Sequence, residues 1–239
     1  MGNTPSVKHH VDNAERTGVF QLTKANLTEF PKEISRLKNN IRSLDLSLNK
    51  LRLVPSFIGH FTNLRQLSLN HNRLTEVPPE IGQLKKLENL SLNCNQLISL
   101  PSGFSGLSSL RTISVNENKL QAFPIFLKDL KHLDSIDLSK NKITAIPDGI
   151  QSMQVSELNL NQNQVSTISE DIAACSRLKV LRVEENCLQL SMIPKKVLAE
   201  SQISLLAVDG NLFEIKDFHN AEGYESYMER YTATKKKMM

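Results

Sequence analysis

LENLSLNCNQL, residues 87–97, alternates apolar and polar side chains and then turns on an asparagine. Leu90 and Leu92 stand two apart, the spacing of a short strand that buries alternate side chains, while Asn89, Ser91 and Asn93 fall on its other face. The same register precedes it in IRSLDLSLNKL (41–51) and LRQLSLNHNRL (64–74). It continues in LRTISVNENKL (110–120), LDSIDLSKNKI (133–143), VSELNLNQNQV (155–165), LKVLRVEENCL (178–188) and ISLLAVDGNLF (203–213). Every one fits L-x-x-L-x-L-x-x-N-x-L, with Ile, Val or Phe standing for Leu. A further unit, TGVFQLTKANL (17–27), is degenerate: Thr17 holds the first apolar position and Ala25 the Asn position. The motif residues Asn49, Asn72, Asn95, Asn118, Asn141, Asn163, Asn186 and Asn211 are spaced by 23, 23, 23, 23, 22, 23 and 25 residues.

A fixed period of this length, with this consensus, is the signature of a leucine-rich repeat array. It predicts an α/β solenoid, a horseshoe of nine coils with a parallel β-sheet on the concave face and short helical or 3₁₀ returns on the convex face. After each strand the chain changes direction and leaves backbone groups without ladder partners. A buried Asn amide repeated in every coil can bond those groups in its own and neighbouring turns. The return half carries an apolar-Pro pair at Phe30-Pro31, Val54-Pro55, Val77-Pro78, Leu100-Pro101, Phe123-Pro124 and Ile146-Pro147. Pro suits the first turn of a helical return because no donor is needed there. The repeat at 155–177 has Ser169 in place of Pro, and the repeat at 178–202 is two residues longer, which predicts a bulge or a longer helix on its convex side.

Both ends of such an array need covering. Residues 1–16 read as an N-terminal lipidation signal and capping helix, with Val7, Val11 and Ala14 at helical spacing. Residues 17–213 are the array, and 214–239 a C-terminal cap and basic tail. In the cap, Ile215, Phe218, Ala221, Tyr224, Tyr227 or Met228, and Tyr231 fall on one helical face.

The totals describe an ordinary soluble chain of 239 residues, 39% hydrophobic and 23% charged, with a formal net charge of +4. No apolar run approaches the ~20 residues of a membrane span, and the polar first seventeen residues do not read as a secretory signal. Three cysteines without a CxxC pair argue against a disulfide framework and favour a reducing compartment. No GxxxxGK[ST], HExxH, GxSxG or Rossmann glycine series is present, so neither a metal site nor a cofactor is expected, and an enzyme is improbable. His71 and Cys94 share a column of adjacent repeats; a His beside a partly exposed Cys is far more often coincidence than a nucleophile.

What remains is the inner sheet face as a protein-binding surface. Small Ser and Asn residues dominate its middle, giving a flat hydrogen-bonding surface. Arg42, Arg65 and Arg111 line one side of the early strands, with Asp45 and Asp137 in the column between core residues; Glu157, Glu184, Glu185 and Asp209 gather in the late strands, offset by Lys179 and Arg182. That gradient would orient a protein partner. Val180 and Leu205 form an apolar pair there.

The chain opens MGNTPSVK, matching M-G-x-x-x-[ST], with Gly2 as acceptor of a myristoyl group and Ser6 at the small hydroxyl position; Asn3 is small, and Lys8 adds basic character. One acyl chain holds a membrane only reversibly, on the order of 10⁴ M⁻¹. Lys235, Lys236 and Lys237 are the candidate second signal, at up to ~1 kcal/mol each beside an anionic leaflet.

MGN at the start, AERTGVFQL, LTEFP, EENCLQLSMIP, LLAVDGNLFEIK and YMERYTATKKK, together with the register, make the whole chain resemble a family of intracellular leucine-rich repeat proteins. The resemblance implies a lipid-anchored repeat protein with Gly2 as the lipidated residue, covalent myristate rather than a cofactor, no catalytic activity and no defined partner. The expectation is therefore a monomeric, non-enzymatic interaction scaffold on the cytoplasmic face of membranes, with a soluble pool, that binds protein and not nucleic acid. The alternative is a soluble adaptor, or a regulatory subunit of a signalling enzyme in a phosphatase or small GTPase pathway.

Overall fold

The structure, a computed structural model, describes residues 4–238. Gly2 and Asn3 lie outside the described residues. The chain divides into two compact units, one up to Lys119 and one from Leu120, taken here in turn.

In the first unit, α1 (Thr4–Thr17) precedes five parallel strands: β1 (Val19–Gln21), β2 (Ser43–Asp45), β3 (Gln66–Ser68), β4 (Asn89–Ser91) and β5 (Thr112–Ser114). Each strand pairs with the next in chain order, and the register aligns Phe20, Leu44, Leu67, Leu90 and Ile113 in one buried row. The sequence repeats every 23 residues here, so each coil presents the same side chain to the core at the same height. Leu46, Leu69 and Leu92, two residues on, bury beneath the same face. Val7, Val11 and Ala14 of α1 are buried as their spacing predicts, covering the degenerate first repeat.

The returns are 3₁₀ segments: Lys32–Leu37, Ser56–His60, Pro79–Gln83 and Ser102–Gly106. Here the structure corrects the expected place of proline. Pro31, Pro55, Pro78 and Pro101 stand at the N-cap, with extended ψ of 118° to 151°, not inside the first turn. The Pro carbonyl accepts the first 3₁₀ bond, as Ile58 N to Pro55 O at 3.1 Å shows, and the donor that Pro lacks lies outside the helix. Successive returns touch backbone to backbone: a Cβ on Gly82 would stand 1.9 Å from the Gly103 carbonyl oxygen.

The second unit has a 3₁₀ segment at Ile125–Asp129 and four parallel strands, β6 (Ser135–Asp137), β8 (Glu157–Asn159), β10 (Val180–Arg182) and β11 (Leu205–Ala207). Between them, β7 (Ala145–Ile146) and β9 (Thr167–Ile168) form a separate parallel pair. The return after Pro147 is not a helical turn, contrary to expectation: β7 ends before the proline, and residues 148–152 follow as bends and a turn. Ser169 does replace Pro as an N-cap, with its Oγ accepting from Asp171 N at 3.2 Å at the start of the 3₁₀ segment Glu170–Ala174. The long repeat carries a 3₁₀ turn at Leu190–Met192 and α2 (Lys195–Ala199), as its two extra residues predict.

The C-terminal cap differs from the single helical face read from sequence. It is two helices, α3 (Ile215–His219) and α4 (Tyr224–Met238), broken at Asn220–Gly223, where Gly223 has φ +90°. Phe218 and Tyr227 are buried, whereas Ile215 is exposed. No helix of the described residues is long and apolar enough to cross a membrane.

Candidate functional site

Each motif asparagine ties the turn of its own coil to that of the coil before it. Asn72 Nδ2 donates to Leu46 O at 3.1 Å and to Leu69 O at 3.0 Å, while its Oδ1 accepts from Leu51 N at 3.0 Å. Asn49, Asn95, Asn118, Asn141, Asn163 and Asn186 are buried likewise, and Asn211 is half-buried. Asn49 serves the degenerate first repeat twice over, accepting from both Ala25 N and Leu27 N, which is how a coil without its own asparagine is held.

The residue just before each asparagine is left-handed. Leu48, His71, Cys94, Glu117, Lys140, Gln162 and Glu185 have φ between 52° and 61°, and Gly210 completes the column at φ +74°. Side chains pay strain there of about 1 kcal/mol each, and a β-branched residue pays more. His71, which makes no side-chain hydrogen bond among the described residues, isolates the effect. His71→Gly is expected to hold or raise urea-unfolding stability, and His71→Ile to lower it by about 1–2 kcal/mol. Equal losses in both would show that the turn is not under strain.

The inner face of the first unit is not the open hydrogen-bonding surface that its composition suggests. Ser47 Oγ and Ser68 Oγ bond at 2.8 Å, Asn70 Nδ2 donates to Ser68 Oγ, and Asn70 Oδ1 accepts from Ser91 Oγ at 2.7 Å and from Asn93 N at 2.8 Å. Asn93 Oδ1 repeats the pattern with Ser114 Oγ at 2.7 Å. This second, outer ladder spends the polar groups on each other. Asp45 likewise accepts from Ser47 N at 2.9 Å, and Arg65 pairs with Glu88. Arg42 and Arg111 are exposed.

In the second unit the expected acidic gathering is also engaged. Arg182 Nε lies 3.1 Å from Glu157 Oε1, Glu184 accepts from Asn161 Nδ2, and Glu185 accepts from Gln162 Nε2 at 2.9 Å. Asp137 accepts from Ser139 N and Oγ. Asp209 is exposed, and Val180 and Leu205 are half-buried partners across β10 and β11. Of these acidic residues Glu157 is charge-paired, by Arg182, while Glu184 and Glu185 keep their charge and accept from amides of the adjacent coil.

The thiols divide by burial. Cys94 Sγ donates to Glu117 Oε2 at 3.4 Å. Burial, with Asp171 nearby, pushes the Cys175 thiol up to about 11, which makes it a poor nucleophile. Among the described residues no group of three His, Cys, Asp or Glu comes together to hold a metal. The cap side chains of Lys235 and Lys236 are exposed on the last turn of α4, where cations also complement the helix dipole.

Comparison with known proteins fits this geometry. Residues 62–120 and 132–153 match models of the leucine rich repeat. A leucine-rich repeat protein of Leptospira interrogans is 27% identical, with TM-score 0.58 over 84% of this chain and 63% of its own. A plant peptide hormone receptor, RGFR1 in complex with RGF2, is 25% identical, with TM-score 0.57 over 77% of this chain and 34% of its own. TLR13 in a complex with ssRNA13 shares the fold, with TM-score 0.72 at 20% identity over 84% of this chain and 30% of its own. The chain therefore spans less than two thirds of the length of each, and its parallel sheet with short 3₁₀ turns is a leucine-rich repeat fold.

Proposed function

We propose that this leucine-rich repeat chain is a non-enzymatic, monomeric protein-binding module held at the cytoplasmic face of membranes by a myristoyl group on Gly2, with a soluble pool. The binding half is supported by the repeat fold, an interaction module in proteins of this kind, and by a peptide hormone receptor among its structural relatives. The observation that carries the membrane half is the hexapeptide MGNTPS, with Gly2 as acceptor and Ser6 at the hydroxyl position.

A single acyl chain gives reversible attachment, so the protein should partition between pellet and supernatant rather than sit wholly in either. Gly2→Ala is expected to move the membrane fraction of the expressed chain into the soluble fraction. An unchanged distribution would sink the membrane half and leave a soluble binding module.

A further inference from the structure

With many Ser and Asn groups of the inner face bonded to one another, the first unit gathers further recognition chemistry elsewhere. A cleft of about 650 Å³ opens between the segments that leave the Asn turns of its first three repeats. Its size is that of a site for a short ligand. Phe30, Val54, Pro55 and Phe57 floor it. Phe30 and Phe57 meet edge to face with ring centroids 5.7 Å apart, and Phe57 packs in turn against Phe61 at 6.0 Å, so the floor is one aromatic cluster. Leu53 stands on the rim, 62% exposed.

Four cations surround that floor: Lys32, Lys50, Arg52 and Arg73. The lining has one carboxylate, Glu29. None of the four cationic side chains makes a hydrogen bond or ion pair among the described residues, unlike Arg65 and Arg182, which are paired on the sheet face. Four positive side chains against one negative, around a low-dielectric wall, concentrate a positive field inside the cleft.

We infer that this cleft binds an acidic peptide segment of a partner protein, a chain that places one large apolar side chain on the Phe30–Phe57 floor and carboxylates against Lys50, Arg52 and Arg73. Charge complementarity selects the acidic flanks, and the buried aromatic floor supplies the anchor that a charged rim alone lacks. A membrane surface fits less well, because a layer of headgroups offers no side chain to seat on the Phe30–Phe57 pair. The inference rests on the protein-binding reading above and gives it a ligand chemistry.

The test uses the full, unacylated chain and a fluorescein-labelled peptide, DEDFEDE, followed by fluorescence anisotropy at low salt. Saturable binding is expected, about tenfold weaker for the neutral peptide NQNFQNQ and for DEDGEDE, which lacks the anchor. The double variant Lys50→Glu with Arg73→Glu should lose about tenfold, while Lys142→Glu, in the same repeat column of the other unit, stays within about twofold. Because these side chains are exposed, thermal melting of the variants should match the wild type. Equal binding by the double variant, indifference to the Phe, or capture of phosphatidylserine vesicles in preference to the peptide would each overturn the inference. In cells, cross-linking separates its failure from that of the binding reading. Partner cross-links at Lys32 and Lys50 are expected; cross-links only elsewhere would overturn the cleft alone, and none at all would overturn both.

Discussion

Asn95→Ala should lower the unfolding free energy by about 2–4 kcal/mol. Asn95 Nδ2 donates to Leu69 O and Leu92 O, both at 3.0 Å, and to Asn93 O at 3.1 Å. Its Oδ1 accepts from Leu74 N at 3.1 Å. Truncation leaves Leu74 N without its acceptor, in a place too buried for water to replace the amide, at about 1–3 kcal/mol, and takes one of two donors from Leu69 O and Leu92 O, which keep Asn72 Nδ2 and Asn118 Nδ2. Asn95→Asp should be no milder, since a carboxylate would face the same carbonyls. Asn93→Ala, in the outer ladder two residues away, removes half-buried bonds that water can remake, and should cost about 1 kcal/mol. Urea denaturation of the two variants separates the ladders. A loss below about 1 kcal/mol for Asn95→Ala would show that the buried ladder does not hold the turns.

The second large effect is at the C-terminal cap. Arg230 Nη2 donates to Leu198 O at 2.6 Å and to Val197 O at 3.3 Å, and its Nε donates to Ile203 O at 3.0 Å. Leu198 O and Val197 O lie in the last turn of α2 and Ile203 O just before β11, so one guanidinium closes the helix and pins α4 against both segments. Burial lowers the Arg230 pKa, yet the group stays charged at neutral pH. Arg230→Ala is expected to cost about 2–4 kcal/mol, and Arg230→Lys to recover little of it, because an ammonium cannot span carbonyls from both segments. Recovery of full stability by Lys would assign Arg230 a purely electrostatic role. Tyr227 works beside it: its OH accepts from Leu206 N at 3.1 Å in β11. Burial raises the Tyr227 pKa above its ordinary 10.0. The unfolded phenol therefore ionises first, and this contribution to stability is complete below pH 10 and declines as pH rises through the folded value.

Much of this was legible in the sequence because period and burial are linked: a 23-residue repeat with L-x-L fixes strand, face and neighbour together. Val7, Val11 and Ala14 likewise gave away the N-terminal cap. The misread features share another cause. Composition shows which groups a surface carries, not which of them already bond one another. Ser68, Asn70 and Ser91 looked available and are paired to each other; Glu157 and Arg182 looked like parts of a gradient and form an ion pair. The left-handed column escaped notice because His71, Cys94 and Glu117 share a backbone conformation and no side-chain chemistry. The cleft cations could have been found from NKL at 49–51 and NRL at 72–74, a basic column just past the asparagine, had the exit side of the strands been read along with the inner face. Phe57, which joins them to an apolar floor, becomes their neighbour only through the fold.

The membrane-held binding module depends on Gly2, and intact mass measures that directly. The chain expressed in eukaryotic cells is expected to lose Met1 and gain about 210 Da, with no such gain in Gly2→Ala. A wild-type chain without that added mass would contradict the acyl anchor and return the protein to a soluble binding module.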